Sequence, residues 1–92
     1  MIDTAAKFKK TSRQVSCPIN DDIAILDTEK SLYFGLEGVA VQVWEALDQP
    51  RSVAELRDAI VARFDVSAAE CEQDVVRLLG ELEAQGLVEV AR

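Results

Sequence analysis

The residues best equipped for chemistry in this chain are carboxylates and two cysteines. Asp21 and Asp22 are adjacent and Glu70 and Glu72 stand two apart. Close carboxylates push each other's pKa values apart, which is how a general acid and a general base are made from one residue type. Nothing else needed for such work is present. The chain has no histidine, so the commonest general base is missing, and it has no Gly-rich phosphate loop or nucleophile elbow. With 17 Asp and Glu in 92 residues, paired carboxylates are what a solvated acidic surface contains. A chain this short does not readily enclose a water-excluding pocket. Cys17 and Cys71 lack metal-type spacing, and zinc would have to be held by two thiolates and carboxylates. Both are expected to be small buried thiols in a reducing cytoplasm. No catalytic residue, metal or cofactor is predicted, and a stand-alone enzyme is excluded.

What remains is binding, and the stretch from Ile23 to Trp44 is built for it. Ile23–Leu26 is a short apolar run, Asp27–Lys30 supplies turn residues, and Ser31–Leu36 is rich in β-favouring side chains. The alternation puts Leu32, Phe34 and Leu36 towards the core and Tyr33 and Gly35 on the opposite face. The strand then runs straight into a helix instead of a further hairpin turn. One of its edges is therefore expected to stay unpaired, a hazard unless something uses it.

The other elements follow from periodicity and punctuation. Residues 1–14 are polar and without period, and read as a mobile basic arm. Val15–Cys17 before Pro18 reads as a first strand. A first helix over 38–48 carries Val39, Val43 and Leu47, with Ala40 and Trp44 widening the stripe, and Gln49-Pro50 stops it. Ser52 with Glu55 opens a second helix whose stripe is Val53, Leu56, Ile60 and Phe64. Ser67 with Glu70 opens a third that runs to Gln85. Its core stripe is Cys71, Val75, Leu79 and Leu82, and Gly86 is placed to terminate it in the left-handed conformation. Gly80 inside it either permits a close backbone approach or has no role. Leu87–Val90 reads as a short strand or an extended tail.

The predicted class is α+β, a small winged helix-turn-helix-like domain with a three-stranded antiparallel sheet followed by three helices. The domain spans 15–92 behind the arm of 1–14. No apolar run is long enough for a membrane span, and the N-terminal lysines are not followed by a secretory core. A winged helix-turn-helix invites a comparison with DNA-binding proteins, whose recognition helix offers Arg, Lys, Asn or Gln to base edges. Here that helix begins Ala68-Ala-Glu-Cys-Glu-Gln-Asp74. Charge argues the same way. Residues 1–14 hold four basic and one acidic residue, net +3, whereas residues 15–92 hold six basic and sixteen acidic, net −10. A body of that sign repels a phosphate backbone. Two other classes stay open: a regulator that binds DNA through the basic arm, and an adaptor whose open edge pairs with itself or another protein.

The run Leu26-Asp-Thr-Glu-Lys-Ser-Leu-Tyr-Phe-Gly-Leu36, with Gly38 and Trp44 after it, resembles the PqqD-like family. Asp74-Val75, Leu78-Leu79, Leu82 and Gly86-Leu87-Val88 carry the same resemblance. It covers about residues 15–90. Within the family the chain looks most like stand-alone leader-binding proteins of lasso-peptide pathways. It has Leu47-Asp48-Gln49 where authentic PqqD proteins have an aspartate-glycine, and Glu37 where the family often has asparagine. The resemblance implies a cytoplasmic protein that binds the leader of a ribosomally made precursor peptide as an added strand, in a groove against the third helix. It hands that leader to a separate leader peptidase, after which a cyclase closes the ring. Nucleic acid and membrane are not expected partners. On the strand, Ser31, Leu32, Tyr33, Phe34 and Gly35 would present backbone groups to the peptide, with Gly35 leaving room. On the third helix, Asp74, Leu78, Glu81 and Gln85, with Arg77 just beyond, form the preferred shoulder. Glu72, Val76 and Glu83 form the competing one. Leu78 is either groove floor or ordinary core.

Overall fold

The computed structural model describes residues 5–91. Strands β1 (Lys7–Lys10), β2 (Gln14–Ile19), β3 (Asp22–Asp27) and β4 (Leu32–Leu36) lead into helix α1 (Val39–Ala46). Strand β5 (Arg51–Ser52), helices α2 (Val53–Val61) and α3 (Ala68–Ala84), and strand β6 (Val88–Val90) complete the chain. They form two antiparallel three-stranded sheets, β2-β3-β4 and β5-β1-β6, with the three helices after the first. This is the expected α+β, winged helix-turn-helix-like topology.

The first sheet is a meander of local hairpins. Ile25 stands opposite Phe34 and Ser16, and Ile23 opposite Leu36 and Pro18, so these residues share the face that meets the helices. Ile23, Ile25 and Leu36 are buried there. The expected inward alternation of β4 is graded, however. Leu36 is buried and Phe34 partly so, but Leu32 is 49% exposed. Ser31 is not part of the strand. It sits at φ 57° and donates its N–H to Asp27 O at 2.8 Å, closing the turn.

The N-terminal segment overturns the expectation of a mobile arm. Phe8, the one large apolar residue of β1, is 1% exposed and lies in the core. Its flanking lysines each find an acid: Lys7 with Glu55 at 4.0 Å, Lys9 with Glu89 at 3.6 Å and Lys10 with Asp48 at 2.6 Å. Lys10 Nζ also stands 4.6 Å from the centre of the buried Trp44 ring, where a cation is attracted to the π face. A strand whose outward residues are all cationic looks like a tail in sequence, because its pairing partners β5 and β6 lie far along the chain. Residues 1–4 of the expected arm lie outside the described residues.

The helices form where the caps predict. Ser52 accepts from Glu55 N at 3.1 Å and Glu55 returns the bond to Ser52 N at 2.9 Å, a complete capping box. At α3 the Ser67 half is made, with Glu70 N donating to Ser67 Oγ at 3.1 Å. The helix ends in a Schellman arrangement: Gly86 at φ 77°, Gly86 N to Glu83 O and Leu87 N to Leu82 O. Gly38 starts α1 at φ 62° with no side-chain cap. Phe64 falls three residues past the end of α2 and is 38% exposed, so the buried stripe of that helix stops at Ile60. Cys71 is buried as expected but Cys17, on the outermost strand of its sheet, is exposed. Burial pushes the Cys71 thiol up, which keeps it protonated and unreactive. At Gly80 an added Cβ would meet open space, so no close approach explains it.

Candidate functional site

Strand β4 is the edge of its sheet: β3 pairs with one side, and among the described residues no strand pairs with the other. Beside that open side lies α3. Tyr33, Phe34, Gly35 and Leu36 form one wall of a groove of about 500 Å³, and Leu78, Glu81, Leu82, Ala84 and Gln85 form the other. A smaller cavity of about 260 Å³ continues it, lined by Glu37, Val39, Ala40 and Val43 opposite Asp74, Val75, Arg77, Leu78 and Glu81. Leu78 and Glu81 belong to both. The end of β4 therefore lies towards the Leu78 end of α3, and its beginning towards Gln85.

The floor is apolar and the rim polar. Leu36 and Leu82 are buried, Phe34 and Leu78 half-buried, and Gly35 projects nothing into the groove; a Cβ there would meet no atom within 4 Å. Tyr33 is 73% exposed on the outer face of the sheet, in the row Val15–Leu26–Tyr33. On the rim, Arg77 and Asp74 pair at 3.0 Å, one helical turn apart and both well exposed, an arrangement worth little to stability. Such an apolar trough with a few polar groups beside an unpaired strand suits an extended peptide. No cluster of three or more His, Cys, Asp or Glu placed to hold a metal ion occurs among the described residues.

The turn that launches β4 is held by Asp27, which is fully buried. Its carboxylate accepts the N–H groups of Glu29 at 2.9 Å and Lys30 at 3.1 Å, and Arg13 approaches it to 3.6 Å. Burial alone would push this carboxyl up. The Lys30 and Glu29 amides, with the charges of Arg13 and Lys30, outweigh that and hold it below the usual carboxylate range.

Of the residues singled out from sequence, the structure brings Tyr33, Phe34, Gly35, Leu78, Glu81 and Gln85 to the groove, and Asp74 and Arg77 to its continuation. Ser31 and Leu32 do not line it, because one closes the turn and the other projects beyond the groove's end. The alternatives for Leu78 merge, since it packs on the core and lines both cavities. The competing shoulder points elsewhere: Glu72 bonds Arg57 at 2.8 Å, Val76 packs on the core, and Glu83 lies beside Lys9 and Glu89. Leu36, Leu82 and Ala84, absent from the expected set, also line the groove. The first two read as core by their spacing, and a residue that is core on one side and wall on the other gives no separate signal.

Comparisons with known proteins show the family and the fold. The chain is similar to the structure of "TbiB1 in complex with the TbiA(beta) leader peptide", at 31% identity over 88% of this chain and 94% of that one, with a TM-score of 0.82. It shares the fold of "Lasso peptide synthetase B1 complexed with the leader peptide", at 19% identity over 89% of this chain and 96% of that one, with a TM-score of 0.79. No curated protein matches it by sequence. Residues 22–88, from the start of β3 into β6 and so including both walls of the groove, match the family described as Coenzyme PQQ synthesis protein D (PqqD); the chain belongs to the PqqD family.

Proposed function

We propose that this protein binds the leader segment of a ribosomally made precursor peptide as an added strand on β4, and delivers it to separate maturation enzymes. The observation that carries this reading is the open edge of β4 set beside an apolar groove on α3. A peptide on that edge gains backbone hydrogen bonds from the strand and specificity from pockets for its alternate side chains. From Leu78 to Gln85, α3 rises about 10 Å. Side chains on one face of a strand repeat about every 7 Å, so the groove seats two inward peptide side chains. The leader found on TbiB1, a protein 31% identical to this one, supports a leader as the occupant. The pathway is lasso-peptide maturation in the cytoplasm, with a leader peptidase and a cyclase as the enzymes served.

The protein does no chemistry itself, and it does not take DNA. The net charge of −10 over residues 15–92 and the acidic first turns of α3 disfavour a phosphate backbone. Nor is any helix among the described residues long and apolar enough to cross a membrane. The test is a calorimetric titration with the cognate leader peptide, followed by incubation of the full precursor with the protein alone. Stoichiometric binding without cleavage is expected. An absence of binding, or cleavage by the purified protein, would sink the reading.

A further inference from the structure

The groove has two ends of unequal construction. At the Leu78 end its β4 wall is covalently continuous with the body, since the chain passes through Glu37 and Gly38 into α1. At the Gln85 end there is no such continuity: β4 starts from a hairpin turn, and α3 stops at its cap. Here Thr11 and Arg13 join the two. Thr11 donates its N–H to Leu87 O at 3.0 Å and its hydroxyl to Gly86 O at 2.7 Å. Arg13 O accepts both the N–H of Thr28 at 2.8 Å and its hydroxyl at 2.7 Å. The Arg13 guanidinium lies 3.6 Å from the Asp27 carboxylate and 2.7 Å from that of Glu29. It also rests on Gly86 so closely that a Cβ there would meet Nη1 at 2.9 Å.

We propose that Arg13 is a positioning residue for the groove, a strut that sets the separation between the turn end of β4 and the C-terminal end of α3. The inference rests on the leader-binding reading and extends it. Strand addition imposes two distances at once. The peptide must lie about 4.8 Å from β4 to hydrogen-bond with it, and its inward side chains must also reach α3. A wall free to drift satisfies one condition at a time, and ordering it on binding costs affinity that a fixed wall keeps. Arginine suits the task because its planar fork reaches two carboxylates while its flat face lies on a residue without a side chain. The partner that matters is Asp27, which is fully buried. The Glu29 carboxylate is mostly exposed, so solvent screens that pair.

The test separates the strut from the leader reading. In the full chain carrying Cys17→Ser, spin labels at Ser31→Cys and Glu83→Cys measure the separation of the turn from α3; Cys71 is buried and stays unlabelled. The expected result is one narrow distance distribution that broadens in Arg13→Ala. In parallel, Arg13→Ala raises Kd for the synthetic leader peptide roughly tenfold, with a fall in melting temperature too small to explain the loss. Arg13→Lys, which keeps the charge without the fork, lies between. An unchanged distribution in Arg13→Ala, or a Kd within about twofold of the parent, overturns the proposal. If the parent itself does not bind the leader, the leader reading fails, and the distances still judge the strut. Should Arg13→Ala not fold, Asp27→Asn, which removes the buried charge that the guanidinium faces, carries the same expectations.

Discussion

The two three-stranded sheets of this protein face the same problem, unpaired edges on a small domain, and treat it differently. Sheet β5-β1-β6 is assembled from strands of two, four and three residues that lie far apart in the chain. It sinks Phe8 and Val88 into the core and meets each lysine of β1 with an acid. Sheet β2-β3-β4 is local, with strands of six, six and five residues. It buries one face and leaves Val15, Ile19 and Tyr33 in solvent on the other. The short sheet closes the chain on itself at large loop-closure cost. The long one forms from neighbouring hairpins, whose small loops cost less to close, and can leave an edge free. Holding the body together and offering a surface are thus assigned to separate sheets.

Removing the anchor of the closed sheet should have the largest effect. Phe8→Ala is expected to cost about 3–5 kcal/mol of stability in denaturant unfolding. A change near zero would restore the mobile arm and erase the contrast between the sheets. Next come two adjacent leucines of α3. Leu79→Ala, on the core stripe, should cost roughly 2–5 kcal/mol and lose leader affinity only through unfolding. Leu78→Ala should lose affinity out of proportion to stability, because it lines the groove as well as packing on the core. Parallel losses at both positions would make the groove wall indistinguishable from core.

A third, smaller effect is confined to acid. The Asp27 pKa is lowered in the folded state, so its contribution is fully present above the ordinary carboxylate value of 3.8 and is lost as pH falls through the folded value. Urea unfolding from pH 5 downwards should show stability falling below about pH 4 in the parent and less steeply in Asp27→Asn. Equal slopes would mean that the turn does not depend on that charge. The smallest effect on stability is expected on the rim: Asp74→Ala and Glu81→Ala should move it by under about 0.5 kcal/mol while weakening leader binding. Glu83→Ala, on the side facing Lys9, should leave binding unchanged. The reverse pattern would move the site to the other shoulder.

These expectations also show what the sequence discloses. The meander was legible because its strands alternate and its turns carry Asn20, Asp21 and Asp27. The helices were legible because Ser52, Ser67 and Gly86 punctuate them. The closed sheet was not: β1 has a single apolar residue, β5 has two residues, and their pairing is set by distant partners that no local period reports. The groove was half legible. Its outward residues on α3 follow from helical spacing around the core stripe. The exclusion of Ser31 and Leu32 depends on where the turn ends, and element ends are the least determined feature of any local pattern.

One feature of the outermost strand bears on how many molecules can meet here. A sheet with two usable edges is bivalent and can propagate into a ribbon. Strand β2, the other margin of the open sheet, carries Pro18 in its interior, and a proline in an edge strand turns its missing donor outward. That margin is blunted, and β4 is left as the sticky end. The valence of the sheet falls from two to one: a strand that docks on β4 terminates the array instead of extending it.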